Sequence, residues 1–474
     1  MLPIVRFFET RDQRKKFSEN LVNKQEVVIS GYNLKNFYRK MVNRRILLPV
    51  MSGNILMIVS GAFTVWPVIY FDKVFHSRYF RMFFIFELIG QIIGSIIFSL
   101  LAELIGRRYS LLLMTFPAII SVIISEFFYG IIFLFCIARI CSGMIVGGSF
   151  AVLPIYVAEI SETNSKGGFI SSMFIFYHIG EIFILLLTDI TYDYFASTVL
   201  VSLFIIVLAI AYCITFALIA PESPYYYLKK ERHNVAKIVL NKLRAQNINT
   251  DIELIEMQGQ VNENGQNAQE YERIMVCVRG PGWVKSGIMM FGILVSQIVI
   301  SIGVVATIFS LYYYIHGRLN ASLIRGVAAV LTCCISTALV DKIGRKLLLM
   351  ISYVVIAVSA ATIIILSLMP IENAYVFLLP TVILIGSQCF LLILQTILLA
   401  ELFPLKIKMI SSASFTALWF GSQIVTQLLI DISELFKFFP VVLISVAMLP
   451  IVRFFYLETK GKSLQRIQSI LNKK

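Results

Sequence analysis

The sequence has few charged residues. Only 14% of its 474 residues are Asp, Glu, Lys or Arg, and 58% are hydrophobic. Soluble domains carry roughly 25% charged residues. A soluble protein of this size could not bury so much apolar surface. The composition therefore excludes a soluble or disordered chain and indicates a membrane protein with several spanning segments.

The sequence also lacks the patterns of disulfide, metal, nucleotide and catalytic sites. Of its seven cysteines, six lie in apolar runs and Cys277 lies in a polar loop, without the spacing of a zinc site or a disulfide framework. The four histidines are scattered, and no nucleophile stands beside a base. No glycine-rich loop leads into the Lys-Ser/Thr pair that binds phosphates. We therefore expect neither enzyme activity nor a metal or cofactor.

Long apolar runs are the main feature that is present. A helix needs about 20 apolar residues to cross the bilayer, and twelve such runs occur, at 46–71, 80–102, 109–126, 129–157, 168–188, 196–220, 286–312, 322–340, 347–369, 375–399, 410–430 and 438–456. One long polar gap divides them into two sets of six. The predicted fold is an all-α membrane protein of twelve transmembrane helices. Its predicted parts are an N-terminal segment (1–45), a six-helix half (46–220), a linker with short helices (221–285), a second six-helix half (286–456) and a tail (457–474).

The basic residues indicate how the chain is oriented. In this arrangement 33 of the 41 Lys and Arg residues fall on one face of the membrane and six on the other. Cytoplasmic loops carry the excess of Lys and Arg. Both termini and the linker are therefore predicted to be cytoplasmic. This excess on one side of the lipid bilayer accounts for the net charge of +14 without nucleic acid, and the sequence leaves protein partners open.

The two halves repeat a set of charged motifs. Glu103-Leu-Ile-Gly-Arg-Arg108 follows the second run, and Asp341-Lys-Ile-Gly-Arg-Lys346 follows the eighth. Glu159 and Glu401 close the fourth and tenth runs, and Lys166 and Lys408 open the runs that follow. Glu222 and Glu458 come directly after the sixth and twelfth runs. This is a parallel repeat of two six-helix halves, as in several transporter folds.

These motifs resemble those of the sugar porter family of the major facilitator superfamily, which are D-R-x-G-R-R, P-x-Y-x-x-E-I, P-E-S-P-R, A-E-I-F-P and P-E-T-K-G. Among its members, the insect facilitated trehalose and glucose transporters are the most similar. The resemblance implies the major facilitator fold and a charge network that closes the cytoplasmic side and breaks as the halves move. The predicted network comprises Glu103, Arg107, Arg108, Arg139, Glu159, Lys166, Glu222, Asp341, Arg345, Lys346, Glu401, Lys408 and Glu458. The alternative is that these charges only anchor the helix ends. Leu104 and Leu457 depart from the family pattern.

The positions that bind sugar in this family have changed in this chain. By motif position, the family's polar residues correspond to Phe174, Ala329, Thr396 and the pair Trp419-Phe420, and only Gln297 keeps its amide. A sugar needs hydrogen bonds once it leaves water. Ordinary glucose recognition is therefore not expected. The predicted binding residues are Phe174, His178, Glu181, Gln297, Gln395, Thr396, Trp419 and Gln423.

His178 and Glu181 are the candidates that compensate for these losses. With Phe174 they share one face of the fifth helix, and His178 lies about 15 Å from the start of that helix, near the midplane. An ionisable residue at membrane depth is a functional candidate. The alternative is a pair that satisfies itself between packed helices.

The sequence thus predicts a facilitative transporter of a sugar or similar small polar solute, in the plasma membrane, that works by alternating access. One alternative is a transporter of a different solute, such as a cationic or proton-coupled one, which pH-dependent or electrogenic flux would reveal. The other is a receptor or sensor that binds without transporting.

Overall fold

A computed structural model describes residues 44–65, 80–128, 131–190, 194–244, 250–262, 281–314, 318–369, 374–405, 407–428, 434–462 and 464–472. The chain divides into two compact units, Met1–Leu47 and Leu48–Lys474. Of the first unit, the structure describes only residues 44–47, the first turn of a helix. The N-terminal segment predicted at 1–45 thus falls almost wholly outside the described residues. The fold below is that of the second unit.

The described residues form helices joined by short turns, without a strand. The first group, the N-terminal set, comprises α1 Arg44–Val65, α2 Phe80–Leu104, α3 Arg107–Leu113, α4 Thr115–Phe127, α5 Ile132–Ile160, α6 Lys166–Ile190 and α7 Tyr194–Ile219. Three short helices follow, α8 Pro224–Lys229, α9 His233–Leu243 and α10 Thr250–Asn262. The C-terminal set comprises α11 Pro281–Tyr314, α12 Arg318–Ile343, α13 Arg345–Leu368, α14 Leu378–Leu402, α15 Lys408–Leu428 and α16 Glu434–Phe455, and α17 Leu464–Asn472 ends the chain.

Within the described ranges, eleven spans are long and apolar enough to cross a membrane, α3 and α4 together counting as one. Helix α15 takes the place of the remaining predicted run. It has 21 residues, but several serines and threonines lower its hydropathy. Because α15 packs against α2, α5 and α11, it shares less of its surface with lipid than an outer helix does. A central helix of this kind needs fewer apolar residues than one surrounded by lipid.

Glycines bring α2 and α5 into backbone contact. A Cβ added at Gly94 would lie 2.1 Å from the carbonyl oxygen of Met144, and one added at Gly147 would lie 1.8 Å from that of Gln91. Gly90 and Gly143 are equally tight. Small residues four apart allow such close packing of membrane helices. This contact fixes the position of α5, which carries Arg139, Phe150 and Glu159.

Between the sets, α6 packs against α12, and α15 packs against α2 and α5. The short helices of the linker bury Leu228, Ala236, Leu240, Leu254 and Met257 against one another. Arg244 joins these helices to α5 by donating to the carbonyl of Ile160 at 2.8 Å. The functional residues lie in the bundle itself, at one of its ends and in its centre.

Candidate functional site

The first charge cluster is built on a turn that only glycine adopts easily. Gly106, between α2 and α3, has a φ of 111°, and this turn aims the next two amides at one carboxylate. The backbone N–H groups of Arg107 and Arg108 donate to Glu222 at 2.9 and 3.1 Å. The pKa of the Glu222 carboxyl is raised above its ordinary value because burial outweighs the lowering effects of its hydrogen bonds with backbone amides and of the charge of Arg107. The guanidinium of Arg107 donates to Glu159 at 3.1 Å.

The second cluster repeats the first in the C-terminal set. Gly344 has a φ of 109°, and the N–H groups of Arg345 and Lys346 donate to Glu458 at 3.0 and 3.1 Å. The guanidinium of Arg345 donates to Glu401 at 2.9 Å. In both clusters the arginine also contacts the acidic residue four positions earlier, Glu103 at 3.5 Å and Asp341 at 3.1 Å. We call the end of the bundle that holds Arg107 and Arg345 the arginine end.

At the arginine end the two helix sets are joined directly. Asp341 of α12 accepts a hydrogen bond from the N–H of Gly168 of α6 at 2.7 Å. Lys166 and Lys408 each interact electrostatically with both Glu401 and Glu159, so charges of the two sets share one region. The hydrogen bond of Gly168 with Asp341 is a direct link between the sets at this end.

Arg139 does not join these clusters. Its guanidinium is paired with Glu87 of α2 and donates to the carbonyl of Phe63 at 3.2 Å. It lies about 30 Å along α5 from Glu159, in the half of the bundle away from the arginine end. Its predicted place in the network is therefore wrong. That prediction rested on its position in the helix that ends in Glu159, and the charged motifs do not indicate how far along the helix an arginine lies.

A cavity of about 310 Å³ lies between the two helix sets. It lies farther from the arginine end than the two charge clusters do. This volume is near the lower end of small-molecule sites, roughly 300–1,000 Å³. Its wall includes six of the predicted binding residues, Phe174, His178, Glu181, Gln297, Trp419 and Gln423. Gln395 and Thr396 are not among the described residues that line it. The hydroxyl of Thr396 donates a hydrogen bond to the carbonyl of Leu392 in its own helix at 2.6 Å.

His178 and Glu181 form a chain of contacts at the cavity wall that reaches the opposite helix set. The imidazole Nδ1 of His178 lies 2.7 Å from a carboxylate oxygen of Glu181. The other oxygen accepts a hydrogen bond at 3.0 Å from Arg325 of α12, in the opposite set. Arg325 was not among the predicted binding residues, because it belongs to the six basic residues that the tally placed on the face opposite the termini. Its position three residues inside the eighth run was a usable signal, because a cation at that depth needs a partner.

The cavity presents polar atoms that lack a protein partner. Gln297 is fully buried, and among the described residues neither atom of its amide has a hydrogen-bond partner. The same holds for the indole N–H of Trp419 and the amide nitrogen of Gln423. Buried groups of this kind are normally satisfied. The amide oxygen of Gln91, which also lines the cavity, likewise lacks a partner among the described residues. An arrangement with two acceptors and three donor groups can bind a solute that carries hydroxyl groups.

Aromatic rings form the deepest part of the cavity. Phe150 of α5 lies among Phe174, Tyr177, Trp419 and Phe420. Next to it, the hydroxyl of Ser412 donates to the carbonyl of Ala151 at 2.7 Å, so α15 and α5 meet at this level. Phe150 was not among the predicted binding residues, because one phenylalanine in an apolar helix does not indicate a binding site.

The cavity has no metal-binding arrangement in the part of the chain that the structure describes, where no three His, Cys, Asp or Glu side chains converge. Its chemistry is that of hydrogen bonding, ring contacts and paired charges. The arrangement can bind a polar solute and release it.

Comparison with known proteins gives one consistent result. The family model described as Sugar (and other) transporter matches residues 36–471. Sugar transporter ERD6-like 7 of Arabidopsis thaliana is 23% identical over 78% of this chain and 81% of its own length. The facilitated trehalose transporter Tret1 of Bombyx mori is 24% identical over 77% and 74%.

Among solved structures, the proton:xylose symporter XylE bound to 6-bromo-6-deoxy-D-glucose, a major facilitator superfamily protein, is similar in fold. It has a TM-score of 0.76 and 18% identity, over 90% of this chain and 99% of that one. This likeness confirms the predicted all-α membrane fold of the major facilitator type.

Proposed function

Because the chain belongs to the sugar transporter family, we propose that it carries a sugar or similar small polyol down its concentration gradient by alternating access. The observation that carries this proposal is the cavity between the two helix sets, where Gln297, Trp419 and Gln423 present unpartnered polar atoms. Such atoms cost free energy when buried alone and recover it when a hydroxyl-bearing solute binds. The family consists of membrane transporters, so the chain is not an enzyme.

The two arginine clusters act as the closing device. In this proposal the structure represents the state in which the arginine end is shut, because the Gly168–Asp341 hydrogen bond joins the sets there and the Ser412–Ala151 hydrogen bond joins them between that end and the cavity. Release of solute toward the arginine end requires these contacts to break. An isolated exposed ion pair contributes only about 0–1 kcal/mol. A partly dry network can bias a two-state equilibrium by about 1–3 kcal/mol.

His178, Glu181 and Arg325 hold the sets together on the other side of the cavity. Glu181 belongs to α6 and Arg325 to α12, so their ion pair links the sets at the cavity wall. In this proposal the pair loosens when solute enters and reforms when the arginine end opens.

The arginine end lies in the cytoplasm in this proposal. It carries the linker and the Arg107 and Arg345 clusters, and 33 of the 41 Lys and Arg residues fall on this face of the predicted topology. Cytoplasmic loops carry such an excess. The plasma membrane is the proposed location, since a solute from outside the cell would reach the cavity there.

Uptake by purified protein in liposomes tests the proposal. The probes are labelled glucose, fructose and trehalose, and the variant is Gln297→Leu, which removes both amide atoms from the cavity. The matched control is Gln395→Leu, a second buried glutamine that does not line the cavity. We expect saturable uptake of at least one sugar, reduced about tenfold or more in Q297L and much less in Q395L. No uptake of any sugar by folded protein, or equal loss in both variants, would contradict the proposed site.

A further inference from the structure

Phe150 is a buried ring among four other aromatic rings, and the proposed transport cycle gives it no role. It is 6% exposed, and its ring lies 5.2 Å from Tyr177, 5.6 Å from Phe174 and 6.0 Å from both Trp419 and Phe420. The Trp419 ring is stacked on it, at an angle of 29°. Helix α5 thus inserts one large ring between α6 and α15 at the bottom of the cavity.

The backbone on both sides of Phe150 is held in place. The Ser149 hydroxyl lies 3.0 Å from that of Ser60 in α1, and the carbonyl of Ala151 accepts from Ser412 of α15. Gly147, one turn earlier, packs against the backbone of α2. The ring therefore cannot move aside without shifting α5, and it sets a rigid limit to the depth of the cavity.

The cavity wall combines polar atoms with aromatic rings. Unpartnered amide atoms belong to Gln297 and Gln423 of the C-terminal set and to Gln91 of the N-terminal set, and Phe150 and Phe174 contribute rings. A solute in the cavity therefore meets hydrogen-bonding groups on part of its surface and aromatic rings on another part. A pyranose ring with equatorial hydroxyls has this division, because its hydroxyls point outward and its C–H groups form an apolar face.

We propose that Phe150 is a specificity-determining residue that restricts the transported solute to a single sugar ring and contacts the apolar C–H face of that ring. This inference rests on the proposed function of the cavity as a sugar site. The cavity volume of about 310 Å³ leaves little space beyond one ring, and the Phe150 side chain occupies the space that a second ring would need. Removal of the side chain should therefore admit disaccharides and weaken the binding of monosaccharides.

Competing uptake of one-ring and two-ring sugars tests this inference. Phe150→Ala and the unaltered protein are reconstituted in liposomes and supplied with labelled D-glucose or labelled trehalose. We expect the unaltered protein to take up trehalose at least about tenfold more slowly than glucose. In F150A the trehalose-to-glucose ratio should rise about tenfold or more, and the KM for glucose should rise because the ring contact is lost.

The matched control is Phe135→Ala, in the same helix. Phe135 is 2% exposed and packs on Phe83, outside the cavity lining, so F135A loses similar packing without changing the site. If F150A is not recovered as folded protein, Phe150→Leu replaces it and should shift the ratio in the same direction by about threefold.

The outcomes separate this inference from the proposed function. Equal uptake of trehalose and glucose by the unaltered protein, or an equal ratio in the Phe150 and Phe135 variants, would overturn the size limit while leaving a sugar transporter. No uptake of any sugar by folded protein would overturn both.

Discussion

Two ion pairs inside the described part of the bundle each link two helices. Arg139 pairs with Glu87 between α5 and α2, and Arg325 pairs with Glu181 between α12 and α6. A buried ion pair does not stabilise a fold much by itself, because desolvation offsets the attraction. The loss of one partner is costly, because a charge is then left in a dry site. At the scale of single residues, the pair at the cavity wall is therefore the most informative.

A double-mutant cycle on Glu181 and Arg325 should reveal strong coupling. Glu181→Gln keeps the shape of the side chain but removes the carboxylate that contacts both Arg325 and His178. Because Arg325 is about one-third exposed, we expect a loss of about 2 kcal/mol in the free energy of unfolding, below the 3–5 kcal/mol of a fully buried pair. Arg325→Gln should cost a similar amount, and the double variant clearly less than the sum. Thermal unfolding in lipid–detergent micelles measures these values.

The control for this cycle is the ion pair of Lys237 and Asp251 between α9 and α10. Its atoms lie 2.7 Å apart, yet both side chains are about half exposed, and such pairs contribute about 0–1 kcal/mol. Effects of the Glu181 and Arg325 changes that add to within about 0.3 kcal/mol would show that the pair is not coupled.

At the scale of helices, the contact of α2 with α5 decides where the functional residues lie. It depends on four glycines whose missing side chains leave room for the facing backbone. Because the obstacle is backbone, a side-chain rearrangement cannot relieve it. Helix α5 then holds Arg139, Phe150 and Glu159 at three depths of the bundle.

Gly147→Ala should separate α2 from α5. The added Cβ would lie 1.8 Å from the carbonyl oxygen of Gln91, so the helices must move apart. We expect a loss of stability of about 3 kcal/mol or more, in line with overpacked cores, and a lower yield of folded protein in size-exclusion chromatography. Gly287→Ala is the control, because a Cβ there meets nothing within 4 Å and should be neutral or slightly stabilising. A similar response of the two variants would mean that the α2–α5 contact is not tight.

The sequence was sufficient to predict the helices but not which side chains of neighbouring helices contact each other inside the bundle. Continuous apolar runs predict spans directly, because the bilayer requires about 20 apolar residues. The paired motifs also predicted which charges cluster, since Gly106 and Gly344 occupy equivalent turns. Arg139 was predicted in the charge network, and Arg325 was not predicted to bind at the cavity. The partner of a charge inside a bundle depends on how neighbouring helices are rotated and shifted, which the sequence does not show. Phe150 was missed for the same reason.

At the scale of the whole molecule, the two helix sets meet at places that must separate during transport. Ser412 and Ala151 provide one of them, near the middle of the bundle. Contacts inside one set, such as that of Ser60 with Ser149, would persist if each set moves as a unit. This difference offers a direct test of alternating access.

A disulfide between the sets should stop transport, and a disulfide within a set should not. In a background without the native cysteines, Ala151→Cys with Ser412→Cys joins α5 to α15, and Ser60→Cys with Ser149→Cys joins α1 to α5. We expect oxidation to reduce sugar uptake at least about tenfold in the first pair only, with recovery after reduction, because the open and closed arrangements can then no longer interconvert. Uptake that continues with the first pair fully cross-linked would mean that these helices do not separate.

The pairing of the charges around the cavity also has an electrical consequence. Glu87 is balanced by Arg139 and Glu181 by Arg325, so these four groups sum to zero, and a proton on His178 would add one positive charge beside them. One elementary charge moved across a membrane potential of 100 mV is worth about 2.3 kcal/mol. A carrier with balanced charges that is loaded with an uncharged solute is not subject to that force. The voltage of the cell would then neither drive nor oppose its movement, and the concentration of the solute on the two sides alone would set the direction.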